Sequence, residues 1–227
     1  NEGCIPTKAF CKNADVLDAL REAADFGVTD LSYGFDFSKV VERKNAVVTQ
    51  LRGGVEGLLG HKNITLVRGK ASFKDQHTVV VDGEEYSADY IIIATGSVSA
   101  SLPIAGADLP GVITSKEILD IDEVPQRLCV IGGGVIGLEF ASIFRSFGSE
   151  VTVLEYCKDI LPRFDTDLAK RLKQSLSKKG IEINTQAQVT SVAEKSGEYI
   201  VSYTRKGKEE SVVADKVLMA VGRRANI

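Results

Sequence analysis

One segment restricts the fold of this chain more than any other. Residues 128 to 139 read Leu-Cys-Val-Ile-Gly-Gly-Gly-Val-Ile-Gly-Leu-Glu, which sets Gly132, Gly134 and Gly137 in Gly-x-Gly-x-x-Gly spacing between an apolar run and a helical pattern. Each glycine answers a different steric need. Gly132 permits the tight turn, Gly134 lets a pyrophosphate approach the backbone, and Gly137 lets the helix close on its strand. The free N–H groups at the start of that helix then offer a site for phosphate. Alone the spacing also suits a glycine turn with no ligand. The next strand, Val151 to Glu155, ends in an acid at about the ~20-residue interval expected of a ribose-binding carboxylate. A carboxylate there accepts from a ribose 2′-hydroxyl and repels a 2′-phosphate, which predicts NAD over NADP. Tyr156, Cys157 and Lys158 follow, with no arginine before Arg163. The competing reading makes Glu155 a solvated strand end.

Around this segment strand and helix alternate. The spacing predicts a strand over 128–131, a helix over 135–147 stopped by Gly148, a strand over 151–155 and a helix over 167–179 stopped by Gly180. Short β-patterned runs follow at 181–184, 188–193, 199–204 and 216–221, so that 111–222 reads as one α/β unit with a terminal β-meander. Upstream, apolar positions recur at helical spacing from Pro6 to about Phe26. They do so again from Ser38 to Leu59, with Val40, Val41, Val47, Val48, Leu51, Val55 and Leu58 as candidate core. Asp82-Gly83 marks a hairpin between 78–81 and 84–87. Tyr90 to Ala94 is apolar throughout, the pattern of a strand covered on both faces. Residues 97–110, rich in Ser, Ala, Gly and Pro, suit a connection between domains.

Composition excludes several classes. The net charge of −3 over 227 residues arises from charges of both signs, without a long basic run, which argues against nucleic acid and anionic membranes as partners. No apolar stretch approaches the ~20 residues of a membrane span, and a cytoplasmic protein is expected. Four cysteines, Cys4, Cys11, Cys129 and Cys157, form no Cys-x-x-Cys half-site, so no metal is expected and any cysteine chemistry should be catalytic. Cys4 precedes Pro6, a residue suited to a first helical turn, and Lys8 follows it at i+4 on the same face. A thiolate is favoured there by the helix N-terminus and the cation. From spacing alone, a cysteine packed in a helix cap is the slightly preferred alternative. Cys11, Cys129 and Cys157 read as packing residues, and His61 and His77 as solvated.

The opening Gly-Cys-Ile-Pro-Thr-Lys closely resembles the active-site segment of the pyridine nucleotide-disulfide oxidoreductases, in which two cysteines four residues apart alternate between disulfide and dithiol. The resemblance continues through Ile-Ile-Ile-Ala-Thr-Gly-Ser at 91–97, Val-Ile-Thr-Ser at 112–115, the glycine segment and Val-Thr-Val-Leu-Glu at 151–155. Asp-Ile-Leu-Pro-Arg-Phe-Asp at 159–165 and Ala-Val-Gly-Arg-Arg at 220–224 complete it. Val135, where glutathione reductases usually carry tyrosine, points to the dihydrolipoamide dehydrogenase branch. Ala225 departs from the usual proline.

The resemblance implies a Rossmann-type NAD-binding domain, a parallel sheet with β-meander, over 98–222. Residues 1–97 would be a partial FAD-binding domain of the same type carrying the redox cysteine helix, and 223–227 the start of the return to it. Cys4, Lys8 and Glu139 would be catalytic, with Lys8 near the flavin and paired to Glu139. Gly69 and Ala71 would meet the FAD adenine side, and Thr95, Gly96 and Ser97 would flank the flavin. Gly132, Gly133, Gly134, Val135, Ile136, Gly137, Leu138, Glu139, Glu155, Val189 and Gly222 would line the NAD site. The implied cofactors are FAD and NAD. The implied partners are lipoyl groups on carrier domains of 2-oxo acid dehydrogenase or glycine cleavage complexes, with a homodimer as the assembly. The same pattern implies that the partner cysteine lies two residues before Asn1 and that the His-Glu acid/base pair lies beyond this sequence. A fragment that binds NAD without turnover is therefore expected. The alternatives are another member such as mercuric reductase, or a non-catalytic NAD-binding module.

Overall fold

Along strand β6 (Arg127–Ile131) alternate side chains enter two different cores, as the period-2 geometry of a strand requires. Leu128 and Val130 face one apolar cluster, Cys129 and Ile131 the other. Such a strand must be covered on both faces. It lies at the centre of a five-stranded parallel sheet of order β5-β12-β6-β7-β8, whose other members are β5 (Val112–Ile113), β7 (Glu150–Glu155), β8 (Ile181–Thr185) and β12 (Lys216–Met219). On one face pack α3 (Val135–Phe147) and α4 (Thr166–Lys178). The antiparallel meander of β9 (Ala187–Lys195), β10 (Glu198–Arg205) and β11 (Lys208–Ala214) covers the other. The structure, a computed structural model, describes residues 1–227. Its α/β architecture is the one expected for 111–222.

Two details of that region differ from expectation. Of the run at 216–221, Lys216–Met219 belongs to the parallel sheet, and the third meander strand is β11, whose charged start, Lys208-Glu209-Glu210, hid it in the sequence. Helices α3 and α4 end as Gly148 and Gly180 predict, both at positive φ, although α4 runs from Thr166 and is N-capped by Asp165.

The N-terminal helices share the same core. Helix α1 (Cys4–Glu22), continued by a 3₁₀ turn Ala23–Phe26, begins two residues before Pro6, and α2 spans Phe37–Leu59. Phe10, Ala14 and Leu17 of α1 and Phe37 and Val40 of α2 lie in one apolar cluster with α3. Phe147 is its hub, with ring centroids 5.8 Å from Phe10, 5.7 Å from Phe37, 5.5 Å from Phe35 and 5.7 Å from Phe144. Two polar pins flank it. Buried Lys44 donates to the Leu119 carbonyl at 2.9 Å and pairs with Asp120, while Lys179 and the Ser146 hydroxyl both donate to Asp18, at 2.7 and 2.8 Å. Burial alone would raise the Asp18 carboxyl, but these bonds outweigh it and hold it below the usual range.

The distal half of α2 and two further segments correct the expected core. Leu51, Val55 and Leu58 are exposed, because no element packs against that side of α2. Tyr90 to Ala94 forms no strand, and Tyr90 and Ile92 are 91% and 88% exposed. An all-apolar strand requires neighbours on both edges and both faces, and no strand of this chain pairs with it. The hairpin at Asp82-Gly83 forms as expected, with both central residues at positive φ, between β2 (Thr78–Val81) and β3 (Glu84–Ser87). It carries β1 (Ala71–Phe73) on its other edge. A two-stranded antiparallel ribbon joins β4 (Ser97–Ser99) to β13 (Arg223–Ala225). No helix is long and apolar enough to cross a membrane.

Candidate functional site: a dinucleotide cleft beside a thiol

At the C-terminal ends of β6, β7 and β12 a cleft of 530 Å³ opens, where ligands of open α/β sheets bind. Gly132, Gly134, Val135, Ile136, Glu155 and Gly222 line it. The glycines fit their roles. Gly132 sits at φ +113°, and a Cβ at Gly137 would lie 2.1 Å from the Gly132 carbonyl oxygen, so the helix closes on its strand only with glycine there. Gly134 has open space where its Cβ would project, and as N-cap of α3 it brings no side chain to the helix start, whose N–H groups remain available to a phosphate.

Glu155 is not a solvated strand end. It is 7% exposed, and its carboxylate is folded back into the glycine loop, accepting from the Gly133 N–H on one oxygen and from the Cys157 N–H, at 2.7 Å, on the other. Each oxygen retains a lone pair for a ribose hydroxyl. Gly133 thus serves the cleft through its backbone rather than its surface. Its carbonyl in turn accepts from the Leu161 N–H at 2.9 Å and fixes the segment after β7 against the loop. Leu138 and Val189 do not reach the cleft: Leu138 is buried against the helices and Val189 under the meander. The cleft gains residues that spacing did not single out, namely Ala100, Leu161 to Phe164, Ala220, Val221 and Arg223. The Asp159 to Asp165 motif contains four of them, but only the fold shows that it doubles back over the glycines.

A second hollow of 340 Å³ adjoins the cleft, with Ile136 and Arg223 lining both. It holds Cys4, Lys8, Glu139, Thr7 and Ser115. Cys4 is the first residue of α1 and is exposed, so the reading of it as a cysteine buried in a cap is set aside. Lys8 pairs with Glu139 across 131 residues, and this bond, opposed by slight burial, raises the lysine above its ordinary range. The ammonium therefore stays charged beside the thiol at neutral pH. The other cysteines sit elsewhere. Burial pushes Cys11, Cys129 and Cys157 all upward, and Cys157 is raised further by its contact with Glu155. Iodoacetamide at neutral pH should thus modify Cys4 first, and Lys8→Met should slow that reaction several-fold. Mass mapping that finds Cys11 or Cys157 labelled fastest would refute the assignment.

The remaining predicted residues lie apart. Gly69 precedes β1 and Ala71 belongs to it, in the separate three-stranded sheet, and neither lines the two hollows. Thr95, Gly96 and Ser97 meet the β13 end of the ribbon. Asn226 donates to the Thr95 and Gly96 carbonyls at 3.3 and 3.1 Å, and Arg223 Nε donates to Ser97 Oγ at 2.7 Å. A further hollow of 620 Å³, among Asp18, Arg21, Glu22, Arg145, Lys178 and Lys179, gathers three helix C-termini and no hydrophobic side chain. Arg21, Arg145 and Lys179 there bond to carbonyls and Asp18 and join the three helix ends.

The parallel sheet thus carries a glycine cradle, a fixed acid at the neighbouring strand end and, beside them, a thiol–lysine–glutamate group. The chain belongs to the pyridine nucleotide-disulphide oxidoreductase family, which it matches over residues 1–227. Among curated relatives it is 42% identical to a dihydrolipoyl dehydrogenase of Acholeplasma laidlawii, covering 100% of this chain and 68% of that one. It is 39% identical to the dihydrolipoyl dehydrogenase of Mycoplasma pneumoniae, covering 100% and 50%. Among solved structures, the HOCl-induced flavoprotein disulfide reductase RclA from Escherichia coli superposes with a TM-score of 0.80 at 33% identity, over 99% of this chain and 48% of that one. The chain spans about half the length of most of these relatives. FAD and NAD(H) are the cofactors that membership brings. The cleft fits NAD(H) on its own geometry. The residues expected to hold FAD do not gather into one cradle here.

Proposed function

We propose that the chain provides the NAD(H) site and one redox thiol of an enzyme that oxidises dihydrolipoamide, with FAD as carrier and NAD as acceptor. The observation that carries this reading is the position of α3. Its first turn supplies Val135 and Ile136 to the dinucleotide cleft, and its second supplies Glu139 to the Cys4–Lys8 hollow. One rigid helix therefore registers the nicotinamide end of the cleft against the thiol. Overall, dihydrolipoamide gives up two electrons and two protons to become the disulfide; NAD takes a hydride and the second proton is released. Lys8, held by Glu139, keeps a cation beside Cys4 while it is a thiolate, and the glycine loop and Glu155 orient the dinucleotide.

In the same reading residues 1–97 belong to the flavin-binding part and 98–222 to the NAD-binding part. That division is supported by the ribbon that pairs 97–99 with 223–225. The partner cysteine is assigned two residues upstream of Asn1, the assembly is a homodimer in the cytoplasm, and the substrates are lipoyl groups on carrier domains. The 227-residue chain should accordingly bind NADH and show no steady-state reduction of NAD by dihydrolipoamide. Cys4 and Cys11 cannot substitute for the pair, since seven helical residues span about 10 Å, beyond the ~7 Å limit between disulfide-linked Cα atoms. Turnover by this chain, or turnover by a chain extended upstream that survives Cys4→Ser, would refute the assignment.

A further inference from the structure

A lysine beside a thiol is useful only while something holds it there. Lys8 and Glu139 cannot do so alone, because the lysine side chain is 58% exposed and an ion pair that open to water contributes little. The helices that carry them must be set against each other elsewhere. Between α1 and α3 the seam is apolar, with Phe10, Ala14 and Leu17 in one cluster with Phe144 and Phe147. Apolar burial is non-directional and opposes separation more than sliding.

The directional contacts lie at the far end of the seam. Ten residues after Lys8, about 15 Å further along α1, Asp18 accepts from Lys179 Nζ at 2.7 Å, from Ser146 Oγ at 2.8 Å and from Arg21 Nη1 at 3.0 Å. Ser146 is buried on α3, seven residues after Glu139 and two turns along the same face. Lys179, the residue that caps α4, also donates to Ser142 Oγ of α3 at 3.1 Å. One carboxylate thus ties α1 to α3 and to the end of α4. This clasp is better shielded than the Lys8–Glu139 pair, since the Asp18 and Lys179 side chains are 28% and 29% exposed. Against the effect of burial, the bonds from Lys179 and Ser146 hold the Asp18 carboxyl below its usual range, so the clasp is charged at neutral pH.

We propose that Asp18, clasped by Lys179 and Ser146, is a positioning residue for the Cys4 thiol: it fixes the far end of α1 on α3, and so keeps Lys8 seated on Glu139 with its ammonium beside the sulfur. The proposal rests on the reading of Cys4 as the reactive thiol. The test is the rate of iodoacetamide alkylation at neutral pH, mapped to each cysteine by mass, for the 227-residue chain and its variants under native conditions. Asp18→Ala should slow Cys4 about threefold, part of the several-fold loss in Lys8→Met, and Asp18→Asn, which keeps one acceptor, should slow it less. Lys179→Met should slow it in the same sense. Because the carboxylate acts through the lysine, Asp18→Ala should add nothing in a Lys8→Met chain. Val201→Ala, in the separate core under the meander, lowers stability without touching α1 and should leave the Cys4 rate unchanged. An unchanged Cys4 rate in Asp18→Ala, an equal further loss in the Lys8→Met background, or an equal loss in Val201→Ala overturns the proposal while leaving Cys4 as the reactive thiol. A wild-type chain alkylated first at Cys11 or Cys157 overturns both.

Discussion

Glu155→Ala should weaken NAD(H) binding by about tenfold to a hundredfold, because a hydrogen bond to a charged group is worth ~1.5 to 3 kcal/mol. The fold gives this substitution two routes to its effect. Ribose hydroxyls lose their acceptor, and the Gly133 and Cys157 N–H groups lose the carboxylate that positions the glycine loop. The routes separate on the second cofactor. Loss of the ribose contact alone spares NADPH or tightens it, since a negative group leaves the neighbourhood of the 2′-phosphate. Loosening of the loop costs both cofactors alike. Calorimetric titration of wild type, Glu155→Ala and Glu155→Gln with both dinucleotides measures each part. Unchanged NADH affinity in Glu155→Ala would remove Glu155 from recognition altogether.

Phe147→Ala should destabilise the chain by roughly 3 to 5 kcal/mol, the usual cost of emptying a buried aromatic site. That is a large share of a domain's ~5 to 15 kcal/mol. Phe147 is nearly buried and touches rings from α1, from α2, from the segment before α2 and from its own helix. The cavity would open where the cysteine-bearing helix meets the NAD-binding unit, so the thiol and Lys8 would lose register with Glu139 as stability falls. Urea unfolding, read as a drop in midpoint at constant slope, gives the energy. Phe35→Ala, at a half-exposed ring of the same cluster, should cost distinctly less. A loss below about 1 kcal/mol in Phe147→Ala would mean that the helices are held mainly by their polar pins.

The parallel unit was legible in the sequence because its signals are local. Gly132, Gly134 and Gly137 fix a turn and a helix start by steric necessity, and Gly148 and Gly180 mark helix ends by their positive φ. Glu155 could be placed at the end of β7 from alternation alone. What spacing could not show was contact between distant segments. Arg163 looked irrelevant eight residues after Glu155, yet one backbone bond from Leu161 to Gly133 turns its segment over the cleft. Arg223 and Ser115 entered the thiol hollow in the same way. Tyr90 to Ala94 and the apolar side of α2 carry the pattern of buried elements, but burial depends on a neighbour, and this chain provides none at those positions. Lys44 reversed the error. A lysine flanked by polar residues reads as surface, whereas a carbonyl, Asp120 and the Phe10 ring 5.9 Å from its ammonium allow it to be buried.

The pairing of β4 with β13 has a consequence for how the molecule can be rebuilt. The chain enters and leaves the stretch from Ala100 to Gly222 on adjacent strands, tied further by the Ala100 N–H to the Gly222 carbonyl at 2.9 Å. That stretch is topologically a closed loop inserted into its host, and its two ends are already in contact when it is folded. Excising it at 99 and 223, or joining those positions by a short linker and opening the chain elsewhere on the surface, leaves its sheet order intact. Little loop-closure entropy stands in the way of either operation. Exchange of nucleotide preference between relatives could therefore proceed by replacing this loop as a single cassette, with the seam confined to six ribbon residues.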